Sequence, residues 1–127
     1  MIQVNLNISR DVLENVFVTA LEGGSNYWYG LPSHSVAAVK KLTDKSDPLS
    51  IRVFKFIFDH KGTLEVFDED IKQCIGILSY HTVAERLQKM ANESYCPSLM
   101  EEILESGDAT TSDVVFQYLC LGEVVYG

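Results

Sequence analysis

The chain has 127 residues, of which 46% are apolar and 22% charged, a composition typical of one globular domain over residues 1–127. Its formal charge of −8, from 18 acidic and 10 basic residues, argues against broad binding to nucleic-acid phosphates or to an anionic membrane surface, since both need clustered Lys and Arg. No apolar run reaches the roughly 18 residues of a membrane span, and the start MIQVNLNISRD is not a secretion signal, so we expect a cytoplasmic protein.

The first predicted elements are a strand and a helix. Apolar and polar residues alternate over 2–8, which is the pattern of a half-buried strand. Ser9 then has the character of a helix N-cap, with Asp11 in the first turn. The apolar residues that follow recur at helical spacing and are expected to face the core: Val12, Leu13, Val16, Phe17, Ala20 and Leu21. Gly23 and Gly24 are expected to end this helix.

The middle of the chain predicts a connection and a hairpin. Residues 29–50 have the proline and serine content of a long connection, in which VAAVKKL (36–42) is a short helical or extended piece. IRVFKFIF (51–58) is rich in β-branched and aromatic residues and predicts a strand, which the turn DHKG joins to a return strand, TLEVF (63–67). Residues 68–78 fit either a helical turn or a third strand.

Helices dominate the remainder of the prediction. Ser79 is a candidate N-cap for a helix whose apolar stripe comprises Val83, Ala84, Leu87, Met90 and Ala91. Pro97 can start another helix, which Gly107 ends. Thr110 and Asp113 have the spacing of a capping box before a last helix, VVFQYLCL, and EVVYG predicts a short C-terminal strand. The expected fold class is therefore α+β, with a small antiparallel sheet (N-terminal strand, central hairpin, short C-terminal strand) packed against three to four helices.

Potential metal ligands are sparse in the sequence. The odd number of cysteines and the lack of a C-x-x-C pair predict buried thiols in a reducing compartment: Cys74, Cys96 and Cys120. Asp108, Asp113 and Glu123 could bind a divalent ion if the fold brought them together, although Asp113 already has a predicted capping role. We expect no metal and no cofactor.

The stretch LEGGSNYWYG (21–30) is the first candidate ligand site. Glu22 lies at the C-terminal, negative end of the first helix, where a carboxylate is disfavoured by about 0.3–1 kcal/mol, and a broken local rule often marks a site. Tyr27 and Trp28 offer flat faces for stacking. The predicted ligand contacts are Glu22, Gly23, Gly24, Ser25, Asn26, Tyr27 and Trp28. The alternative is that Trp28 fills the core and Glu22 bonds backbone donors. Because Ser25 lacks a G-x-S-x-G context, no catalytic residue is assigned.

Two stretches carry distinctive motifs. TALEGGSNYWY (19–29) fits A-[LF]-E-G-G-[SI]-x-Y-W, and GDATTSDVVFQYLCLGEVVYG (107–127) fits D-A-x-T-x-D-x-x-x-Q-x-x-x-x-G-E-V-x-[YF]-G. Together they resemble a family of small uncharacterised proteins from bacteriophages, prophages and bacterial mobile elements. Tyr29 departs from that family, in which many members have another residue, often cysteine. The second motif adds a second candidate patch: Asp108, Thr111, Asp113, Gln117 and Glu123.

The resemblance implies an accessory protein that captures a signalling molecule or blocks a host protein. Our first hypothesis is a homo-oligomeric binding protein in the bacterial host cell, with a role against host defence. It would sequester a small molecule, such as a nucleotide-type signal, or occlude a host protein. A phosphate-rich ligand would require a nearby cation from Lys40, Lys41 or Arg52. The alternatives are a hydrolase or transferase with Glu22, Asp108 or Glu123 as general base, with or without a metal, and motifs that only determine the fold. The sequence favours a protein that is not an enzyme.

Overall fold

The computed structural model describes residues 8–93 and 108–127. The elements within those ranges are α1 Arg10–Thr19, a π-helical turn Ala20–Gly24, β1 Tyr29–Gly30, α2 Ser33–Leu42, α3 Leu49–Phe58, β2 Leu64–Asp68, β3 Cys74–Leu78, α4 Tyr80–Glu93 and α5 Ala109–Leu121. This is an α+β fold, as the sequence predicted. The predicted strand over 2–8, apart from Ile8, and the predicted helix from Pro97 to Gly107 lie outside the described residues.

The sheet has three antiparallel strands in the order β1-β2-β3. Tyr29 pairs with Asp68, and Leu64 pairs with Leu78 at the other end of the β2–β3 hairpin. TLEVF is therefore a strand, as expected, and the third-strand interpretation of residues 68–78 is confirmed by β3. Its hairpin partner, however, follows it in the chain rather than preceding it.

The prediction of a strand at 51–58 is wrong, because this segment belongs to helix α3. The segment is buried on several sides, and an apolar run of this length does not distinguish a buried helix from a buried strand. Aromatic packing favours the helix, since Phe54 and Phe58, four residues apart, stack with ring centroids 4.4 Å apart. Phe17 of α1 meets the Phe54 ring edge-on at 5.4 Å.

Of the other local predictions, the two helix caps and the short helix are confirmed, and the C-terminal strand is wrong. Ser9 caps α1 by accepting from Val12 N at 3.2 Å, and Ser79 Oγ likewise accepts from Thr82 N at the start of α4. VAAVKKL is helical, within α2. The predicted C-terminal strand at 123–127 has no regular structure.

Helix α1 lies in the core between α3 and α5, and its predicted core face is confirmed. Five of the six expected positions are buried, and Val12 is partly buried against them. Phe17 is central, since its ring also meets the Phe58 and Phe116 rings edge-on. Cys120 is buried as expected, but the prediction for Cys74 is wrong, because it lies exposed at the start of β3. No described helix is long and apolar enough to span a membrane.

Candidate functional site

The candidate stretch 21–30 is divided between the protein interior and its surface. The π-helical turn ends at Gly24, and a turn over 25–28 then leads into β1. Ser25 and Trp28 are 0% and 2% exposed, whereas Glu22 is exposed. Tyr27 lies at the edge of the interior, with 51% of its surface exposed and its hydroxyl bonded to the buried Asp113. The stretch therefore contributes to two separate places, one closed and one open.

The closed place is centred on Asp113, which is 8% exposed. Its Oδ1 accepts from Ser25 Oγ and from Trp28 Nε1, both at 2.8 Å. Its Oδ2 accepts from the Tyr27 hydroxyl at 2.5 Å and from Gln117 Nε2 at 3.2 Å. Four donors satisfy this buried carboxylate, as burial of a charged group requires. We call this cluster the Asp113 junction: Ser25, Tyr27, Trp28, Asp113, Gln117 and Tyr126.

The junction also fixes the C-terminal tail. The buried Gln117 side chain accepts from Val125 N at 2.9 Å and from Tyr126 N at 2.8 Å, and it donates to Tyr126 O at 3.0 Å. The Tyr126 ring stacks on Trp28 at 5.2 Å and 9°, and its hydroxyl donates to Asp68 Oδ2 at 2.5 Å. These side-chain bonds to the tail backbone take the place of the strand pairing that the sequence predicted there.

The capping box predicted from Thr110 and Asp113 is wrong. Asp108 is the N-cap of α5, since its Oδ1 accepts from Thr111 N at 2.7 Å. Asp113 lies more than one turn further along and faces the junction, where four side-chain donors bind its carboxylate. Local spacing cannot show this, because Ser25 lies 88 residues away along the chain.

The second candidate patch does not converge on one place. Asp113 and Gln117 belong to the junction, Asp108 and Thr111 lie at the start of α5, and Glu123 is exposed beyond its end. Among the described residues, no group of three or more His, Cys, Asp or Glu side chains could hold a metal ion.

The groups of the junction are poorly suited to catalysis. Partial burial of its hydroxyl and, as the second cause, its hydrogen bond to Asp113 raise the pKa of Tyr27 to about 12. The hydrogen bond to Asp68 raises the pKa of Tyr126 to about 12. Both phenols are therefore protonated at neutral pH. The Ser25 hydroxyl is fully buried and bonded to Asp113. The geometry is that of a structural network.

The open place is a cavity of about 260 Å³, which we call the Glu22 cavity. Its polar lining residues are Glu22, Tyr29 and Ser50. Its apolar lining residues are Leu21, Leu31, Pro48, Leu49 and Val53. Glu22 Oε2 accepts from Ser50 Oγ at 2.7 Å, and the Tyr29 hydroxyl donates to Leu21 O at 2.6 Å. Burial raises the pKa of Tyr29 to about 12, so this hydroxyl is a neutral group.

The position of Glu22 has a tertiary explanation. Its partner Ser50 is in the first turn of α3, which follows Pro48, an N-cap without a capping side chain. The carboxylate is unfavourable at the end of its own helix and favourable near the positive start of α3. The fold therefore explains why Glu22 stands at this position, and its position in the sequence alone does not indicate a ligand.

Of the seven predicted ligand contacts, Glu22 is the one that lines this cavity. Gly23 and Asn26 are exposed, and Gly24 packs on α5, since a Cβ there would lie 2.6 Å from Ala109 O. The stacking face predicted for Trp28 is covered by Tyr126. Sequence reasoning missed Ser50 because it lay at the end of the predicted connection over residues 29–50; a helix start after Pro48 was the available signal.

No lysine or arginine lines the Glu22 cavity among the described residues. Arg52 is the basic residue nearest in sequence to the lining residues Ser50 and Val53. It donates to Thr43 Oγ1 at 2.8 Å and to the carbonyls of Lys40 and Thr43, and so caps the end of α2. A second cavity, of about 440 Å³, is lined by Lys72 and His34 among others. Both basic side chains are paired, with Glu69 at 2.7 Å and Glu65 at 2.9 Å respectively.

No protein-family model, no curated protein and no solved structure matches the chain. The likeness to phage and mobile-element proteins stays a prediction from the two motifs. The case for a function therefore depends on the geometry of the junction and of the cavity.

Proposed function

We propose that this protein is a binding protein that captures a small molecule in the Glu22 cavity. One observation supports this most: the cavity combines apolar walls with an exposed carboxylate, and small-molecule sites typically pair apolar walls with a few polar groups. An accessory role in a phage or mobile element, through sequestration of a host signal, follows from the motif resemblance.

Size and charge restrict the ligand. A volume of about 260 Å³ is just below the roughly 300–1,000 Å³ of sites for drug-sized molecules. The lining offers no basic side chain among the described residues, so phosphate groups would form no ion pair there. A nucleotide-type signal would place its base or ribose in the cavity and leave its phosphates in water.

A cavity-blocking variant tests this function. Leu49 lines the cavity and is 41% exposed, so Leu49→Trp can fill the space without disturbing the core. Leu42→Trp is the matched control, because Leu42 is 53% exposed and lies outside the lining. We expect members of a panel of nucleosides, nucleotides and small amines to raise the melting temperature of the wild type and of Leu42→Trp, but not of Leu49→Trp. If no compound distinguishes Leu49→Trp from the wild type, the proposal is wrong.

A second candidate function is occlusion of a host protein. Three exposed apolar side chains favour it: Tyr27, Val124 and Val125 are 51%, 50% and 55% exposed. Tyr27 and Val125 lie close together, since both bond to Gln117. The charge of −8 suits a basic partner surface. Binding of a purified partner should then be lost in Val124→Ser/Val125→Ser and kept in Leu49→Trp.

A further inference from the structure

We propose that the Glu22 cavity selects a primary amine with a small apolar body. This inference rests on the proposed function and adds the class of ligand. The class of ligand depends on which polar groups of the lining can still donate a hydrogen bond and which can only accept one.

Both hydroxyl groups of the lining already donate their proton in a hydrogen bond within the protein. Each hydroxyl carries one proton and two acceptor lone pairs. Ser50 donates to Glu22 Oε2, and Tyr29 donates to the Leu21 carbonyl. The carboxylate of Glu22 can only accept. The polar side chains of the lining therefore present acceptors alone, and a ligand gains hydrogen bonds from them only by donating.

The charge of the cavity favours a cation over an anion. Helix α3 starts at Leu49 and Ser50, where backbone N–H groups could donate to an anion, but the Glu22 carboxylate lies at the same helix end. An anion there would meet a like charge, whereas an ammonium would make a charge-assisted hydrogen bond to Glu22.

The walls determine the rest of the ligand. The five apolar lining residues favour a hydrocarbon body. The volume of about 260 Å³ restricts that body to a short chain or a single ring. An aryl-alkyl amine combines these properties.

Three probes with nearly the same body test the inference at pH 7: phenethylamine (ammonium), 2-phenylethanol (neutral) and 3-phenylpropanoate (anion). Each is titrated by calorimetry into the wild type and into Glu22→Gln. Glu85→Gln is the matched control, because Glu85 is exposed on α4 outside the cavity and carries the same charge. We expect the wild type and Glu85→Gln to bind phenethylamine about tenfold or more tightly than the alcohol, since hydrogen bonds to charged groups are stronger, and not to bind the anion. Glu22→Gln should lose this preference.

The outcomes separate the ligand class from the proposed function. Binding of the alcohol or the anion as tightly as the amine, if Leu49→Trp abolishes it, overturns the amine but supports the cavity as a site. An amine preference that persists in Glu22→Gln, or that Glu85→Gln also removes, overturns the amine by showing a general attraction to an acidic protein. If the wild type binds none of the three probes, the amine class is wrong, and the wider panel with Leu49→Trp then decides the proposed function.

Discussion

The Asp113 junction and the Glu22 cavity both take residues from the stretch 21–30, and they differ in how fully their polar groups are hydrogen-bonded within the protein. In the junction, Ser25 and Trp28 donate to a buried carboxylate that has two further donors. In the cavity, Glu22 is exposed and has one hydroxyl partner. Neighbouring residues of one motif can therefore have different roles: some stabilise the fold from the interior, and others are exposed at the surface. A sequence motif does not define a single site.

The largest expected effect comes from removing the centre of the junction. Asp113→Ala leaves two buried donors, Ser25 Oγ and Trp28 Nε1, without an acceptor. Each costs about 1–3 kcal/mol, so we expect the free energy of unfolding to fall by about 2–6 kcal/mol. Asp70→Ala, at an exposed turn, should stay within about 0.5 kcal/mol. Urea denaturation measures both. If Asp113→Ala does not fold, Ser25→Ala, which removes one donor, should lose about 1 kcal/mol; near-equal stability of Ser25→Ala and the wild type would show that the junction does not hold the fold.

The two glycines of the motif sharpen the comparison at the backbone. A Cβ at Gly24 would lie 2.6 Å from Ala109 O, whereas one at Gly23 would have no described atom within 4 Å apart from its chain neighbours and its own helical backbone. Gly24→Ala should therefore cost about 1–3 kcal/mol through overpacking against α5. Gly23→Ala should be neutral or gain up to about 1 kcal/mol, because alanine favours helical backbone. Thermal unfolding of the two variants compares them directly, and equal losses would contradict the close packing of α5 on this turn.

The pH dependence tests the link from the junction to the hairpin. The Tyr126 hydroxyl lowers the pKa of Asp68 below its ordinary 3.8, and the same bond raises the pKa of Tyr126 from 10.0 to about 12. The stabilisation that this bond gives is lost as pH falls through the folded-state pKa of Asp68, and lost again as pH rises from 10 to about 12.

The variant Tyr126→Phe isolates this contribution. The stability difference between the wild type and Tyr126→Phe should be constant from about pH 5 to 9 and shrink on either side, as measured by urea denaturation across pH. Tyr80→Phe is the control, since Tyr80 is an exposed tyrosine on α4. A Tyr126→Phe difference that stays the same at acid and alkaline pH would exclude the bond to Asp68 as its cause.

The smallest effect on stability is expected at Glu22. Its unfavourable position at the end of its own helix and its favourable position near α3 oppose each other, so Glu22→Gln should change the free energy of unfolding by less than about 1 kcal/mol. Calorimetric melting gives this value. A loss as large as that of Asp113→Ala would place Glu22 with the structural residues and remove it as the ligand group of the cavity.

The features that the sequence predicted are those with local causes. The Ser9 cap and the apolar face of α1 depend on neighbours within a few residues, and both are confirmed. Helix α3 was missed because its β-branched and aromatic residues are typical of a strand, and tertiary packing overrides that preference. Asp113 was taken for a cap because its partners Ser25 and Trp28 are distant in the chain.

The cavity was beyond local reasoning for the same reason. Glu22 was identified from its helix position, but Ser50 is brought to it only by the packing of α3 near the end of α1. Its walls come from the π-helical turn, β1 and α3 together. A local sequence pattern does not show which distant segments pack together.

The most direct test of the division between junction and cavity is a map of backbone amide NMR shifts during titration with phenethylamine. Our account predicts that the amides of Glu22, Tyr29 and Ser50 shift in a saturable way, while those of Asp113 and Gln117 remain in place. Saturable shifts centred on Asp113 and Gln117, with the amides around Glu22 unchanged, would contradict it.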